Sequence, residues 1–252
     1  MRGSGRALAA KRKRRAVKRK RTSLRPRPFI VIFFIVSTVA GLVASPLTAL
    51  RKIQVVGEVD WDRARVDGIL ATLKGKPCAL INRYSVESSV LGNSAVRSAQ
   101  FDRNLFGSGV LTLTYRVPVA RFYNHLTTAL SEDGTIFQSA HLPDGIPLLD
   151  VSGGLTKTYL TIANDLPTLA VAHLAQRIPG LFPQREVRIQ YGTGSSLCLN
   201  IGTSQVILGS CDELDGKLAK LQTKLASEPD FLARVKTYNL LDPQNPMTVP
   251  RQ

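Results

Sequence analysis

The sequence predicts an α+β protein: one N-terminal transmembrane helix, then a β-α-α-β-β unit, then a larger mixed β-sheet unit with flanking helices. Three observations predict it. Residues 1–28 hold 13 Lys and Arg with no Asp or Glu, and an uncharged apolar run, Phe29 to Leu50, follows at once. Between Arg51 and Pro118 the order is strand, helix, helix, strand, strand. From Val119 to Gln252, short alternating strands and turn residues surround two amphipathic helical stretches.

A run of about 20 apolar residues is long enough to cross the hydrocarbon core as a helix. Flanking Lys and Arg stay on the cytoplasmic side. Residues 1–28 therefore read as a disordered cytoplasmic tail, 29–50 as the membrane helix, and the rest as extracytoplasmic. A basic block such as Lys11–Arg15 could instead bind nucleic acid. Charge argues against that. The whole chain carries 34 basic and 18 acidic residues, +16; without the 13 in the tail it carries 21 and 18, +3. A basic block beside a membrane helix is better explained as a topology signal that touches anionic lipid. A cleaved signal peptide is the other rival. Pro46 follows the best small-residue site, Val43-Ala44-Ser45, and the run is longer than an ordinary signal core, so a retained anchor is expected.

Lys52–Val56 alternates and ends at Gly57 as a strand. Asp62 offers a cap to a helix carrying Val66, Ile69, Leu70 and Leu73, stopped by Gly75-Lys76-Pro77. Ser85 offers a cap to a second helix with Val86, Val90 and Leu91. Val96–Arg103 and Val110–Val117 read as strands, the second half-buried and closed by Pro118. In the second unit, Arg121–Tyr123, Thr127–Leu130 and Thr135–Phe137 are short strands, with Glu132-Asp133-Gly134 as a hairpin turn. Asn164 can cap a helix that Pro179-Gly180 ends. Strands follow at Val187–Tyr191, Leu197–Ile201 and Gln205–Leu208, with turns at Gly192–Ser195 and Gly202–Ser204. Asp212 opens an amphipathic helix through Leu214, Leu218, Leu221 and Leu225; Arg234–Leu240 and Met247–Val249 are the last strands.

Catalytic and metal templates are missing. His125, His141 and His173 form no HExxH, and Gly192-Thr193-Gly194-Ser195-Ser196 is neither a nucleophile elbow nor a phosphate loop. Glu132 and Asp133 are adjacent and would point apart on a strand. Cys78, Cys198 and Cys211 form no CxxC. One pair, nearest in sequence Cys198 with Cys211, could oxidise, but small apolar packing residues are the expectation. No enzymatic activity, cofactor, metal or nucleic-acid partner is expected.

Several landmarks then come in a familiar order. They are Ile53-Gln54-Val55-Val56-Gly57, Ala95–Asn104, Leu111–Ala120, Leu130–Phe137, Leu142-Pro143 with Ile146–Leu149, and Val206–Gly209 followed by Leu214 and Lys217–Leu221. Behind a basic tail and a single anchor, this pattern resembles the bacterial cell-division family FtsQ, also called DivIB. Tyr115 departs from it, standing where the family commonly has an acidic residue before Arg116, and so does Tyr238-Asn239-Leu240-Leu241, where the family has an Asp-x-Arg pattern. The resemblance implies a POTRA domain over 51–118 and an FtsQ-type β domain over 119–252. It implies a scaffold of the septal machinery in the cytoplasmic membrane that holds FtsB- and FtsL/DivIC-like partners and bears on peptidoglycan synthases. Partner contact is expected at the last strands through Val235, Thr237, Tyr238, Leu240, Met247, Thr248 and Val249, by strand addition at a sheet edge. Arg97, Arg103 and Arg116 are the candidates for docking on the POTRA unit. The alternatives are a POTRA protein of outer-membrane assembly or secretion, although the alternating ten-residue strands of a barrel are not evident, or a tethered polyanion binder acting through the basic tail.

Overall fold

The computed structural model describes residues 27–43, 45, 48–104, 106–151, 167–183, 185–192 and 196–251. The expected cap Asn164 and the turn residues 193–195 lie outside them. The described part is an α+β protein with six helices and two sheets, both mixed in strand direction.

Helix α1 spans Arg27–Val43, and every side chain from Phe29 to Gly41 is exposed. Its 17 residues rise about 25 Å. Among the described residues no helix is long and apolar enough to cross a membrane. The expected 29–50 segment is corrected at its C-terminal end. Ala49 forms a β-bridge with Pro77, and Leu50 is buried in the core of the first unit. Both are apolar, so a hydropathy reading cannot separate them from the helix before them.

The first unit has the expected order: β1 (Lys52–Val56), α2 (Arg63–Ala71), a 3-10 turn (Cys78–Leu80), α3 (Arg83–Leu91), β2 (Val96–Arg103) and β3 (Ser108–Tyr115). Sheet order is β1-β3-β2, with β1 parallel and β2 antiparallel to β3. On β3, Gly109, Leu111 and Leu113 point inward while Val110, Thr112 and Thr114 face out, a period of two. Val66, Leu70, Val86 and Val90 of the two helices cover that inner face with Phe101. Helix α3 starts at Arg83 rather than after Ser85, because the Asn82 side chain accepts from the Tyr84 N–H at 3.0 Å.

The second unit contains β4 (Pro118–Phe122), β5 (His125–Ser131), β6 (Ile136–Gln138), β7 (Leu148–Val151), α4 (Thr168–Leu181), β8 (Val187–Tyr191), β9 (Leu197–Ile201), β10 (Ser204–Gly209), α5 (Leu214–Ser227), α6 (Phe231–Arg234), β11 (Val235–Asn239) and β12 (Met247–Pro250). They form a nine-stranded sheet, β12-β11-β10-β9-β8-β7-β4-β5-β6. Pro118 opens β4 instead of closing β3. Strand β7 was not anticipated: it pairs in parallel with both β4 and β8, and Leu148, Leu149 and Val151 are all buried. A buried parallel strand shows no alternation to read. Pro179 does not end α4, which runs to Leu181, where Phe182 N–H still bonds Ile178 O at 2.8 Å. A proline in the last turn removes only one ladder bond. Val171, Leu174 and Ile178 of α4 and Leu218 and Leu221 of α5 pack on one face of the sheet, against Ile189, Leu199 and Val206.

Candidate partner interface

The last two strands were expected to form a sheet edge together. The structure divides them. Strand β11 is interior, parallel to β10 on one side and antiparallel to β12 on the other. Val235, Tyr238 and Leu240 are core residues, and the Tyr238 ring meets Phe231 edge-on at 5.0 Å. Thr237 is half-buried on the same interior strand. These four are corrected: their side chains or backbone are already used inside the fold. Strand β12 alone is the edge. All four of its residues are exposed, Met247 at 67% and Val249 at 51%. Register places Met247 opposite Asn239 and Val249 opposite Thr237, on the sheet face away from α4 and α5, with Thr248 opposite Tyr238.

The backbone of β12 defines what a partner strand would meet. Arg251 N–H donates to Arg234 O at 3.0 Å, so Arg251 turns its backbone groups toward β11. Backbone groups alternate sides along a strand. Val249 and Met247 therefore also face β11, while Pro250, Thr248 and, just before the strand, Pro246 face outward. Of those three outward positions only Thr248 carries an N–H. The edge thus offers one donor, the Thr248 N–H, and three acceptors, the carbonyls of Pro246, Thr248 and Pro250. This spacing, Pro246-x-Thr248-x-Pro250, was readable in the sequence once the strand's facing was known.

The three arginines proposed for docking also separate. Arg97 and Arg116 are turned to the second unit. Arg97 Nη1 lies 3.1 Å from Glu132 Oε1 and its Nε 3.8 Å from Asp133 Oδ2; Arg116 Nη1 lies 2.8 Å from Asp133 Oδ2. They are corrected from free docking charges to a clamp between the units. Arg103, at the end of β2, is exposed. The adjacent carboxylates Glu132 and Asp133 thus serve a hairpin turn and an ion-pair cluster. Gly134 holds that turn at φ +76°, where a side chain would also press on Leu169 N at 3.1 Å. Burial would raise the Asp133 carboxyl, but donors from Ser131 and Thr135 and the charge of Arg116 hold it down at about 2. Ser94 Oγ donates to Gln138 O and accepts from Gln138 N–H, and Ala95 packs with Ala129 and Phe137.

A second polar cluster stabilises the first unit beside this junction. Asp62 stands where its cap was expected but caps nothing; it is 3% exposed. Arg65 reaches it with two bonds of 2.7 Å, the Tyr115 hydroxyl donates at 2.8 Å and Asn93 Nδ2 at 3.3 Å. Burial would raise this carboxyl, but Arg65, Tyr115 and Asn93 outweigh it and hold it below the ordinary range. Burial and the Asp62 charge push the Tyr115 phenol up. Tyr115, the departure from the family pattern, is thus a donor to a buried carboxylate. Trp61 lies edge-on to Tyr115 at 5.4 Å and stacks on His141 of the second unit at 5.6 Å.

Among the described residues no group of three or more His, Cys, Asp or Glu could hold a metal ion. A cleft of about 710 Å³ between α4 and the starts of β7 and β8 is lined by Arg121, Pro147, Pro179, Phe182, Arg185 and Glu186 among others. It offers one carboxylate and no histidine or thiol to pair with it. The three cysteines are free thiols, Cys78 fully buried. No family model matches the chain, and no curated protein is similar to it in sequence.

Proposed function

We propose that this chain is a non-enzymatic scaffold of the bacterial cell-division machinery, of the FtsQ/DivIB kind. It is tethered by its N-terminal apolar segment, with residues 51–118 acting as a POTRA domain and 119–252 as the partner-binding β domain. In this reading it holds FtsB- and FtsL/DivIC-like proteins at the septum and so bears on septal peptidoglycan synthesis. The observation that carries it is β12: the last strand of a nine-stranded sheet, exposed along its length, with no described strand on its outer side. Such an edge templates strand addition, or aggregation if left bare. The apolar sequence Phe29–Leu50, of which α1 takes the first part with its side chains exposed all round, supports membrane tethering in the cytoplasmic membrane.

The test uses a point change instead of a truncation, since removing β11 would take Val235, Tyr238 and Leu240 from the core. The full chain and Thr248→Pro are used to recover partners from detergent-solubilised cells, with identification by mass spectrometry. Recovery of small coiled-coil division proteins by the full chain, lost with Thr248→Pro, supports the scaffold and its edge. Recovery of no division protein by the full chain refutes the reading.

A further inference from the structure

Among the described residues outside α1, the three most exposed large hydrophobic side chains are Phe106 at 88%, Tyr84 at 72% and Leu80 at 70%. All three belong to the first unit, and all three sit at one end of it. The chain enters that end through residues 49–52. Arg51 N–H and Lys52 N–H both donate to Gly107 O, at 2.8 and 3.2 Å, beside Phe106. On the other flank, Leu50 N–H donates to Lys76 O at 2.9 Å and Ala49 bridges Pro77, which leads into the turn that carries Leu80. Tyr84 opens α3, whose Arg83 and Glu87 reach the last residues of β2: Arg83 Nη1 lies 4.0 Å from Asp102, and Glu87 Oε1 accepts from Phe101 N–H.

The backbone beside Phe106 is tied to its neighbours. Asn104 Oδ1 accepts from the N–H groups of both Phe106 and Ser108, at 3.0 and 2.9 Å. Gly107 sits at φ +84° with its notional Cβ 2.6 Å from Ala49 O, so only glycine fits under the incoming chain. The same end is basic. Arg51, Lys52, Lys74, Lys76 and Arg103 are all exposed there, against the carboxylates of Asp102 and the less exposed Glu87.

We infer that this end of the first unit is a lipid-contact surface: Phe106, Leu80 and Tyr84 enter the headgroup layer of the membrane that holds α1, and the basic residues pair with lipid phosphates. The inference rests on the tethering proposed above. Only a few residues separate Val43 from the bridge at Ala49, so the surface is held within reach of that bilayer. Aromatic and aliphatic tips ringed by Lys and Arg are the chemistry of an interfacial contact, and cations near an anionic surface add attraction.

The full chain, reconstituted in phosphatidylcholine–phosphatidylglycerol vesicles with lipids brominated high on the acyl chain, tests it by tryptophan quenching. Trp61 is the only tryptophan and stacks at the junction with the second unit, so wild type reports the background. Phe34→Trp adds a probe in α1, and Phe106→Trp adds one at the tip. The expected result is quenching above background for both variants, with the Phe106→Trp component reduced when Lys74 and Lys76 are changed to Glu. Quenching of Phe34→Trp with Phe106→Trp at background overturns the contact surface and leaves the tether standing. Quenching of Phe106→Trp alone overturns the tether and keeps the surface. Background values for both overturn both.

Discussion

Replacing Asp62 removes the acceptor at the centre of the first unit's polar cluster. In Asp62→Ala, Arg65 loses two bonds, and Tyr115 and Asn93 lose one each. Breaking a buried ion pair by deleting one partner costs about 3–5 kcal/mol. The Arg65 side chain is 32% exposed and can turn to water, which puts the expected loss near the lower end, about 3 kcal/mol. Tyr115→Phe removes one hydrogen bond to a charged group and should cost about 1.5 kcal/mol. With a urea slope of roughly 1–3 kcal/mol per molar, Asp62→Ala shifts the midpoint down by about 1–3 M. Urea titration of the detergent-solubilised chain, followed by Trp61 fluorescence, reads this directly, because Trp61 lies edge-on to Tyr115. The double variant should cost less than the two singles together, since both remove the same bond.

The cluster also fixes a pH dependence. The folded Asp62 carboxyl is held below its ordinary value, so it binds its proton less readily in the folded than in the unfolded chain. Its contribution is complete above the unfolded value of about 4 and is lost as pH falls through the lower folded value. Asp62→Asn should flatten that part of the stability curve. An unfolding free energy for Asp62→Ala within about 0.5 kcal/mol of wild type, the scale of an ordinary surface change, refutes the reasoning.

Asp133, at about 2 when folded, gives the junction the same sign: its contribution persists above the ordinary carboxylate value and fades toward pH 2, and amide exchange around Ser94–Val96 should rise there in wild type but less in Asp133→Asn. Arg116→Ala should raise exchange at Gln138 and Glu132 more than Arg97→Ala does, because Arg97 is about half exposed and such a pair contributes under about 1 kcal/mol. Lys217→Met should lower stability by about 2–3 kcal/mol in thermal unfolding, since the buried ammonium donates to Leu208 O at 2.7 Å and Ser210 O at 3.1 Å and both carbonyls would be orphaned. Val249→Pro should detach β12 and expose β11 amides to exchange, whereas Thr248→Pro, whose N–H faces outward, should leave them protected.

Periodicity carried most of the first unit because its strands and helices each bury one face. Leu111 and Leu113 alternate with exposed threonines, and Val66 and Leu70 recur every four residues. It failed where burial is two-sided or tertiary. Leu148–Val151 shows no period because Leu148 and Leu149, which point to opposite faces of the sheet, are both buried, and Leu50 reads as membrane because a core leucine and a lipid-facing one have the same hydropathy. Side-chain destinations were the least legible. Asp62 precedes a helix and looks like a cap, yet its partners come from residues up to 53 positions away. Arg97 and Arg116 look like solvated strand charges until the hairpin carrying Glu132 and Asp133 is folded beside them. The edge itself was legible only to within two strands, since sequence does not say that β11 inserts next to β10 and leaves β12 outermost.

Strand order sets how the two proposed surfaces work together. The junction with the first unit lies at the β5–β6 end of the large sheet, through Ala129, Phe137 and Gln138. Strand β12 closes the opposite end. Neighbouring strands are about 4.8 Å apart, so eight steps place the free edge roughly 38 Å from the junction. The clamp of Arg97 and Arg116 on Glu132 and Asp133, with the Ser94–Gln138 pair and the Trp61–His141 stack, opposes rotation between the units. If the far end of the first unit rests on lipid, this junction would hold β12 at a set height and heading above the membrane. Loosening it should then weaken partner capture in the membrane without changing β12 itself. Arg116→Ala with Arg97→Ala should therefore reduce recovery of partners from vesicles while a detergent-solubilised pair still forms. Equal loss in both settings would mean that the junction acts through stability alone.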